Sequence, residues 1–408
     1  MKDKGVVLRC RKVRILPSEE QREILKSCFG IHRHIYNECV KAEKDGDIDG
    51  AGVRECYKWR KAFTTREDYY GQGKNWKDDC PSHTKQQAVE EFFKNKKTGL
   101  KLVSEGKIRR FDIGFKSRFK CRQETIPFEK FLIKKKDSTN PLSKSLVSTT
   151  YKGKSMDLRI MGKVPKVFKD RDDQGFTRTE MKITRTKTGK YYAIVSFEVP
   201  QTSRFPEIHG DMISFDPGCK TFQTYHSPDG TWGEIGTFEK QELLLRKADR
   251  LKSRLELEGK DKDSRWRRRT RRRMLNLFEK VRNRTADLHN KVCSWVVNTY
   301  RLVLVPEFKT SQMVSSKKLY SKTCRKMMTW SHYRFRSKLI AMAQKFTDVK
   351  VRLCNEAYTT KQCGSCGVIN RSMTLNDRSF NCVSCGLSSS RDGHAARNVG
   401  LRSLRFLV

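Results

Sequence analysis

The tightest constraint in the chain is a pair of Cys-x-x-Cys knuckles near its C-terminal end. They read Cys363-Gly-Ser-Cys366 and Cys382-Val-Ser-Cys385, and fifteen residues separate them. Four thiolates at that spacing close one tetrahedral coordination sphere, so the stretch reads as a ribbon around a structural Zn²⁺ rather than a catalytic one. A redox pair is the competing reading, and two knuckles set this far apart count against it. Directly after the second knuckle comes Asp392, at the start of the small-residue, helix-forming segment Arg391-Asp-Gly-His-Ala-Ala-Arg-Asn398. A metal-stapled finger beside a carboxylate at a helix start points to a nuclease core with a nucleic-acid-handling loop.

Charge narrows the partner class. Lysine and arginine number 88 against 46 acids, a net charge of +42 over 408 residues. Such a chain repels itself unless a polyanion offsets it, which makes nucleic acid the leading partner. A merely basic soluble protein is the bland alternative. Of the 14 cysteines, only the four in the knuckles are spaced as a set. The rest are scattered singly, as reduced thiols in a reducing compartment are. No apolar run approaches the roughly 20 residues of a membrane span, and Met1-Lys-Asp-Lys-Gly5 shows no leader-type apolar stretch. The expectation is an intracellular protein with no membrane partner.

Along the chain, Val6 to Leu16 alternates apolar and basic residues, as a half-buried strand does. Ser18 and Gln21 make a capping box ahead of a helix carrying Ile24, Leu25, Cys28, Phe29, Ile35, Tyr36, Cys39 and Val40. Lys85 to Lys97 reads as another helix. From Arg109 to Val199 the pattern becomes short strands: Phe111, Ile113 and Phe115 alternate, and Met181–Thr186 with Tyr191–Val199 form a hairpin about Thr188-Gly189. This texture predicts a small antiparallel barrel. Lys116 and Arg118, with the interleaved aromatics Phe111, Phe115, Phe119, Tyr191 and Tyr192, are candidates for nucleic-acid contact, although most of these rings read better as ordinary barrel core.

Beyond Gly210 the pattern is α/β. A three-strand meander is followed by helices at Glu239–Leu257 and about 265–300, then a buried strand Arg301–Val305. A helix over Trp330–Phe346, a strand over Val349–Leu353 and a last helix from Asp392 to Phe406 complete it. The second helix opens with Arg267, Arg268, Arg269, Arg271, Arg272 and Arg273, which read either as a solvated face or nuclear-import signal, or as a phosphate-binding stripe. Asp216 ends the first strand on the face opposite Ile213 and Phe215, and Pro217-Gly218 turns the chain away from it. Carboxylates gathered in so basic a chain suit Mg²⁺ or Mn²⁺, whose hard oxygen ligands they supply. No P-loop and no Ser/His/Asp arrangement is present.

The order strand-Asp216-Pro-Gly, Arg301-Leu-Val-Leu-Val305, ribbon, then Arg391-Asp-Gly-His-Ala-Ala-Arg-Asn398 resembles the RuvC-like domain of the transposon-encoded TnpB proteins, relatives of type V CRISPR effectors. Further matches are Val13-Arg-Ile-Leu-Pro17 with Gln21, His34-Ile-Tyr-Asn37, Phe111–Phe119 and Lys187–Val195. Residues 45–85 and 130–175 match nothing in the family pattern. Where the bacterial pattern has its second catalytic acid this chain has Pro306, with Glu307 one residue later. A glutamate displaced to Glu356, just upstream of the ribbon, is similar to the eukaryotic and viral branch called Fanzor. Ser390 and His394 replace the bacterial Asp and Asn around Asp392.

The resemblance implies an RNase H-like (RuvC) nuclease domain at 206–408 with a zinc ribbon inserted at 360–388. It also implies a wedge barrel from 1–17 and 109–205, with a helical recognition lobe at 18–108. Asp216, Glu356 and Asp392 would be the catalytic, magnesium-binding acids, with Glu307 as the fallback for Glu356. The implied activity is RNA-guided cleavage of double-stranded DNA beside a short flanking motif, by a monomeric ribonucleoprotein carrying a guide RNA. Localisation to the nucleus follows from the branch. The alternatives are a nuclease-inactive RNA-guided DNA-binding protein and a guide-independent structure-specific nuclease.

Overall fold

The computed structural model describes residues 5–64, 80–118, 123–128, 131–133, 145–151, 154–161, 181–204, 210–316, 319–374 and 377–404. The side chains of 128–157 are outside that description, as are Phe119, Phe406 and most of the unmatched stretch 130–175. The chain divides into two compact units, Leu8–Glu198 and Val199–Val408 with Met1–Val7.

The first unit is built on a seven-stranded sheet, β2-β6-β7-β1-β5-β4-β3 in order. Its strands are β1 (Val6–Leu16), β2 (Gln123–Phe128), β3 (Phe131–Ile133), β4 (Ser145–Tyr151), β5 (Lys154–Ile160), β6 (Met181–Thr186) and β7 (Tyr191–Pro200). The described strands form an ordered row with β2 and β3 at its ends, where the alternation predicted a small barrel. Helices α1 (Glu19–Asp45), α2 (Val53–Thr64) and α3 (Ser82–Ser104) complete the unit. Ser18 starts α1 with the expected capping box, and Gly46 ends it in the left-handed region at φ 85°. Leu25, Phe29, Ile35 and Tyr36 of α1 pack with Ala88, Val89, Phe92 and Phe93 of α3 in one core.

The alternation at Phe111, Ile113 and Phe115 is not a strand. Instead of a neighbouring strand, Asn37 takes up this backbone. It accepts from the Lys116 N–H at 2.7 Å and donates to the Lys116 carbonyl at 3.1 Å. Ile113 is buried and Phe115 is exposed, so the apolar period reflects one anchor rather than a pleat.

The second unit carries a five-stranded sheet in the order β10-β9-β8-β11-β12. Here β8 (Gly210–Pro217), β9 (Thr221–His226) and β10 (Trp232–Thr237) form the antiparallel meander. Strands β11 (Tyr300–Pro306) and β12 (Lys350–Cys354) run parallel to β8. Parallel neighbours require crossovers. The hairpin α4 (Glu239–Leu257) and α5 (Ser264–Thr299) supplies the first. The second is α6 (Thr310–Ser315), α7 (Ser321–Trp330) and α8 (His332–Ala343). The helix expected over Trp330–Phe346 is α8, and a further helix not expected from the sequence, α7, precedes it and ends at Ser331, whose φ is 53°.

One face of this sheet is core. Ile213, Phe215, Phe222, Val303 and Val305 meet Val292, Val296, Trp330, Phe335 and Leu339. Phe222 is stacked between His289 (5.0 Å) and His332 (5.3 Å). Burial pushes these imidazoles down to about 4 and about 3, so both are neutral. The other face is covered by the last helix, α9 (Arg391–Leu404), through Met212, Leu304, Cys354 and Val399. The approach is close: a Cβ on Gly400 would lie 3.2 Å from Ser214 Oγ. Between β12 and α9 sits the ribbon hairpin, β13 (Ser379–Asn381) paired with β14 (Ser388–Ser390). No helix among the described residues is long and apolar enough to cross a membrane.

Candidate functional site

Asp216 is the next-to-last residue of β8. Its partners in the ladder put Asp216 in one row with Thr224 and Glu234, on the same face as Ser214 and beneath α9. The core face takes Ile213 and Phe215, so the carboxylate is left half-buried against the N-terminal end of α9. Burial, then the charges of Asp392 and Glu356, pushes Asp216 up to about 8, while Arg391 opposes the shift. Asp216 is thus near enough to both of the other acids named from sequence to be repelled by each.

Glu356 does not sit on a strand face, as its spacing from Val351 and Leu353 predicts. β12 stops at Cys354, and Asn355 accepts the Ala357 N–H at 2.9 Å. Glu356 opens the turn that follows, and its carbonyl accepts from the Thr359 hydroxyl at 2.9 Å. Burial and then the charge of Glu307 raise its pKa, and Arg336 lowers it. Glu307 is therefore a fourth carboxylate at the edge of the cluster. It is half-exposed, pairs with Lys309 at 3.1 Å, and accepts at its backbone carbonyl from Arg336.

Two guanidiniums face these acids. Arg391 donates to Asp392 Oδ1 from Nε at 2.9 Å and Nη2 at 2.8 Å, and Arg336 stands by Glu356. Neither was singled out by sequence reading, because their function is defined by what they face. The carboxylates are spread more widely than a one-ion cage. Among the described residues, only the four cysteine sulfurs form a group of potential ligands all within 4.8 Å.

In the ribbon, Cys363 and Cys385 sulfurs are 3.7 Å apart, and those of Cys366 and Cys382 are 3.5 Å apart. A disulfide needs about 2.05 Å. A tetrahedron with metal–sulfur bonds of about 2.3 Å has edges near 3.8 Å, so the donor set fits one Zn²⁺. Backbone N–H groups of Cys385 and Ser384 hold the Cys382 thiol down at about 6, favouring the thiolate that such an ion needs. Phe380 is fully buried under the knuckles beside Cys363 and Cys382. It stacks on His394 of α9 at 4.0 Å and 13°.

His394 starts a stripe on α9 that sequence reading did not assign. Its Nε2–H donates to the Gln362 carbonyl at 2.8 Å. One turn on, Asn398 Nδ2 donates to the carbonyls of Thr359 at 2.8 Å and Gln362 at 2.7 Å. One turn further, Arg402 donates to the Ala357 carbonyl at 2.6 Å. Spacing of four residues puts all three on one helix face. Together they clasp the turn that begins at Glu356.

The arginines at 267, 268, 269, 271, 272 and 273 are all exposed along the first turns of α5. A cleft of about 570 Å³ between α4 and α5 is lined by Lys247, Arg250, Arg254, Arg273 and Lys280 over Leu251 and Leu277. In the other unit, Arg118 is exposed, whereas the Lys116 ammonium pairs with Glu91 at 2.6 Å and lies over the Tyr36 ring. Tyr191 is buried, and Lys12 lies over the Tyr192 ring at 4.3 Å.

Comparison with known families gives three matches along the chain. A helix-turn-helix domain model of the IS605 OrfB series matches residues 1–45, the probable-transposase model of that series matches 195–317, and the Cas12f1-like TNB domain matches 332–399. Putative transposase R186 of Acanthamoeba polyphaga mimivirus is 29% identical over 52% of this chain, which spans only 44% of that relative. TnpB-like protein L770 of the same virus is 26% identical over 97% of this chain and 73% of its own length. A putative RNA-guided DNA endonuclease of Streptomyces pristinaespiralis is 24% identical over 55% of this chain and 53% of its own. Among solved structures, Cas12f1 in complex with sgRNA and target DNA shares the fold. The TM-score is 0.52 at 12% identity, over 97% of this chain and 99% of that one. By these matches the chain is similar to the TnpB/IS605 transposases and their viral TnpB-like homologues, and it shares the fold of Cas12f1.

Proposed function

We propose that the protein is an RNA-guided DNA endonuclease of the Fanzor branch, with Asp216, Glu356 and Asp392 as its catalytic acids. The observation that carries this reading is that Asp216, at the end of β8 beneath α9, lies close enough to both Asp392 and Glu356 for their charges to penalise its own. Pro306 in the β11 position, with Glu356 relocated to the turn after β12, supports the branch. The bacterial relative named for RNA-guided DNA cleavage supports the activity.

The donor set fits Mg²⁺ or Mn²⁺, because hard oxygens of like charge spread over one site are offset by divalent cations. When bound, such ions supply a water of lowered pKa and stabilise the leaving oxygen of a phosphodiester. The chain's own part is to hold the acids in place. Asp216 carries a proton at neutral pH, which it would release to solvent to serve as a ligand when an ion is bound. Arg391 pairs with Asp392 and Arg336 faces Glu356, so both carboxylates are held in orientation. The four cysteines hold Zn²⁺ for structure. The seven-stranded sheet and α1–α3 serve as wedge and recognition lobe for a guide RNA, with the exposed α5 arginines on phosphate. Base pairing selects the double-stranded target, and the complex works as a monomeric ribonucleoprotein in the nucleus.

The protein purified with its co-expressed RNA cuts a matched duplex in Mg²⁺ and does not cut without RNA. Cleavage that persists without RNA supports the guide-independent reading instead. Tight binding with no cutting supports a nuclease-inactive binder. Glu356→Gln lowers the cleavage rate at least a hundredfold, about 2.7 kcal/mol of barrier, and Glu307→Gln by tenfold or less. The reverse order assigns the second acid to Glu307.

A further inference from the structure

The meander's edge strand brings an exposed aromatic ring to the carboxylate cluster. Trp232, the first residue of β10, is 52% exposed. It pairs across the ladder with His226, and His226 pairs with Ser214, so these three form a row on the α9 face of the sheet. The row lies next to that of Asp216, Thr224 and Glu234. With strands about 4.8 Å apart and alternate residues about 6.8 Å apart, the Trp232 and Asp216 backbones stand roughly 12 Å apart on one surface. An indole spans much of that gap.

One side of the ring is supported and the rest is open. Gly393, the residue after Asp392, presents bare backbone to it: a Cβ there would lie 3.2 Å from Trp232 Cε3. The indole thus rests on the first turn of α9 beside Asp392. Among the described residues no aromatic ring or cation is paired with it, although rings in the core are paired repeatedly. Burial and then the charge of Arg397, one turn beyond Gly393, lower the pKa of His226, so a cation stands near the ring's cross-strand partner. A flat apolar surface with one side fixed, next to acids on one hand and a guanidinium on the other, matches a nucleotide: base to the ring, phosphate to the cation.

We infer that Trp232 is a stacking platform for an unpaired nucleobase next to the scissile phosphate of the DNA strand in the cleavage site. The inference rests on the nuclease reading of that site. Its role is to hold the strand extended across the acids, so it acts on strand binding and register. A π-face is indifferent to base identity, so the contact is with any base and fails only where a base is missing.

Two measurements test it. The first is metal-free fluorescence anisotropy of a labelled single-stranded DNA 12-mer on the guide-loaded protein, which does not depend on cleavage. Trp232→Leu, which keeps an apolar cover over Gly393, weakens binding roughly tenfold, and Trp232→Phe restores most of it. The second is cleavage of a matched target carrying one abasic nucleotide, moved stepwise through the cut region. The unsubstituted protein slows at one position, and Trp232→Leu is insensitive there while keeping the penalties elsewhere. Trp232→Leu binding as tightly as the unsubstituted protein, or retaining the abasic penalty at every position, overturns the inference. Total absence of guided cleavage with the Trp232-dependent binding intact would instead count against the nuclease reading.

Discussion

Asp216 holds its proton at neutral pH because burial and two neighbouring carboxylates both penalise its charge, and that has a stability consequence of definite sign. The ordinary aspartate value is 3.8 and the folded value is about 8. Between those limits the folded chain keeps a proton that the unfolded chain has released. Stability of the magnesium-free, zinc-replete protein therefore falls as pH rises from about 4 to about 8, by at most about 1.4 kcal/mol per pH unit. Denaturant titrations across that range show the slope, and Asp216→Asn flattens it. An unchanged slope in Asp216→Asn would mean that other groups set the dependence.

At the scale of elements, much was legible because the helices obey simple periodicity. The spacing over Glu239–Leu257 predicts α4 with the bounds it has, and the knuckle spacing predicts one cluster of four sulfurs. Three features were not legible, each for a local reason. Within 111–117 the backbone of Lys116 is held by the side chain of Asn37, a partner remote in sequence. Helix α7 was not read as an element of its own, since it ends at the left-handed residue Ser331 with no glycine to announce a stop. Glu356 is placed by a turn whose carbonyls are taken up by α9, so alternation along β12 says nothing about where its carboxylate goes.

That clasp makes its own prediction. Asn398→Ala takes the Asn398 donor from the Thr359 carbonyl, leaves the Gln362 carbonyl with His394 alone, and costs about 1–3 kcal/mol of stability. It also lowers the cleavage rate of the folded protein more than it weakens target binding. Equal losses in both would show that Asn398 serves only the fold. Removal of zinc acts on the same helix through Phe380 and His394, so a zinc-stripped but folded protein cuts more slowly. Full-rate cutting by that protein would break the link between ribbon and acids.

For the whole molecule the dominating quantity is a net charge of +42. Attraction to nucleic acid of that origin is screened by salt, and the steepness of its salt dependence reports how many phosphates are neutralised. Replacing Arg267, Arg268, Arg269, Arg271, Arg272 and Arg273 together by glutamine lowers the slope of log K for single-stranded RNA by about 0.7 for each phosphate no longer neutralised. Filter binding over a range of salt reads it, and an unchanged slope assigns the exposed stripe to some other task.

The last helix carries Asp392 in its first turn and, over the following turns, the three side chains that grip the backbone behind Glu356. Two acids 36 residues apart in the chain are thereby referenced to a single rigid rod. The fingertip between the knuckles lies outside that frame. Its length is free to drift, by insertion or deletion, without changing the gauge between the acids, provided that Phe380 keeps its seat on His394.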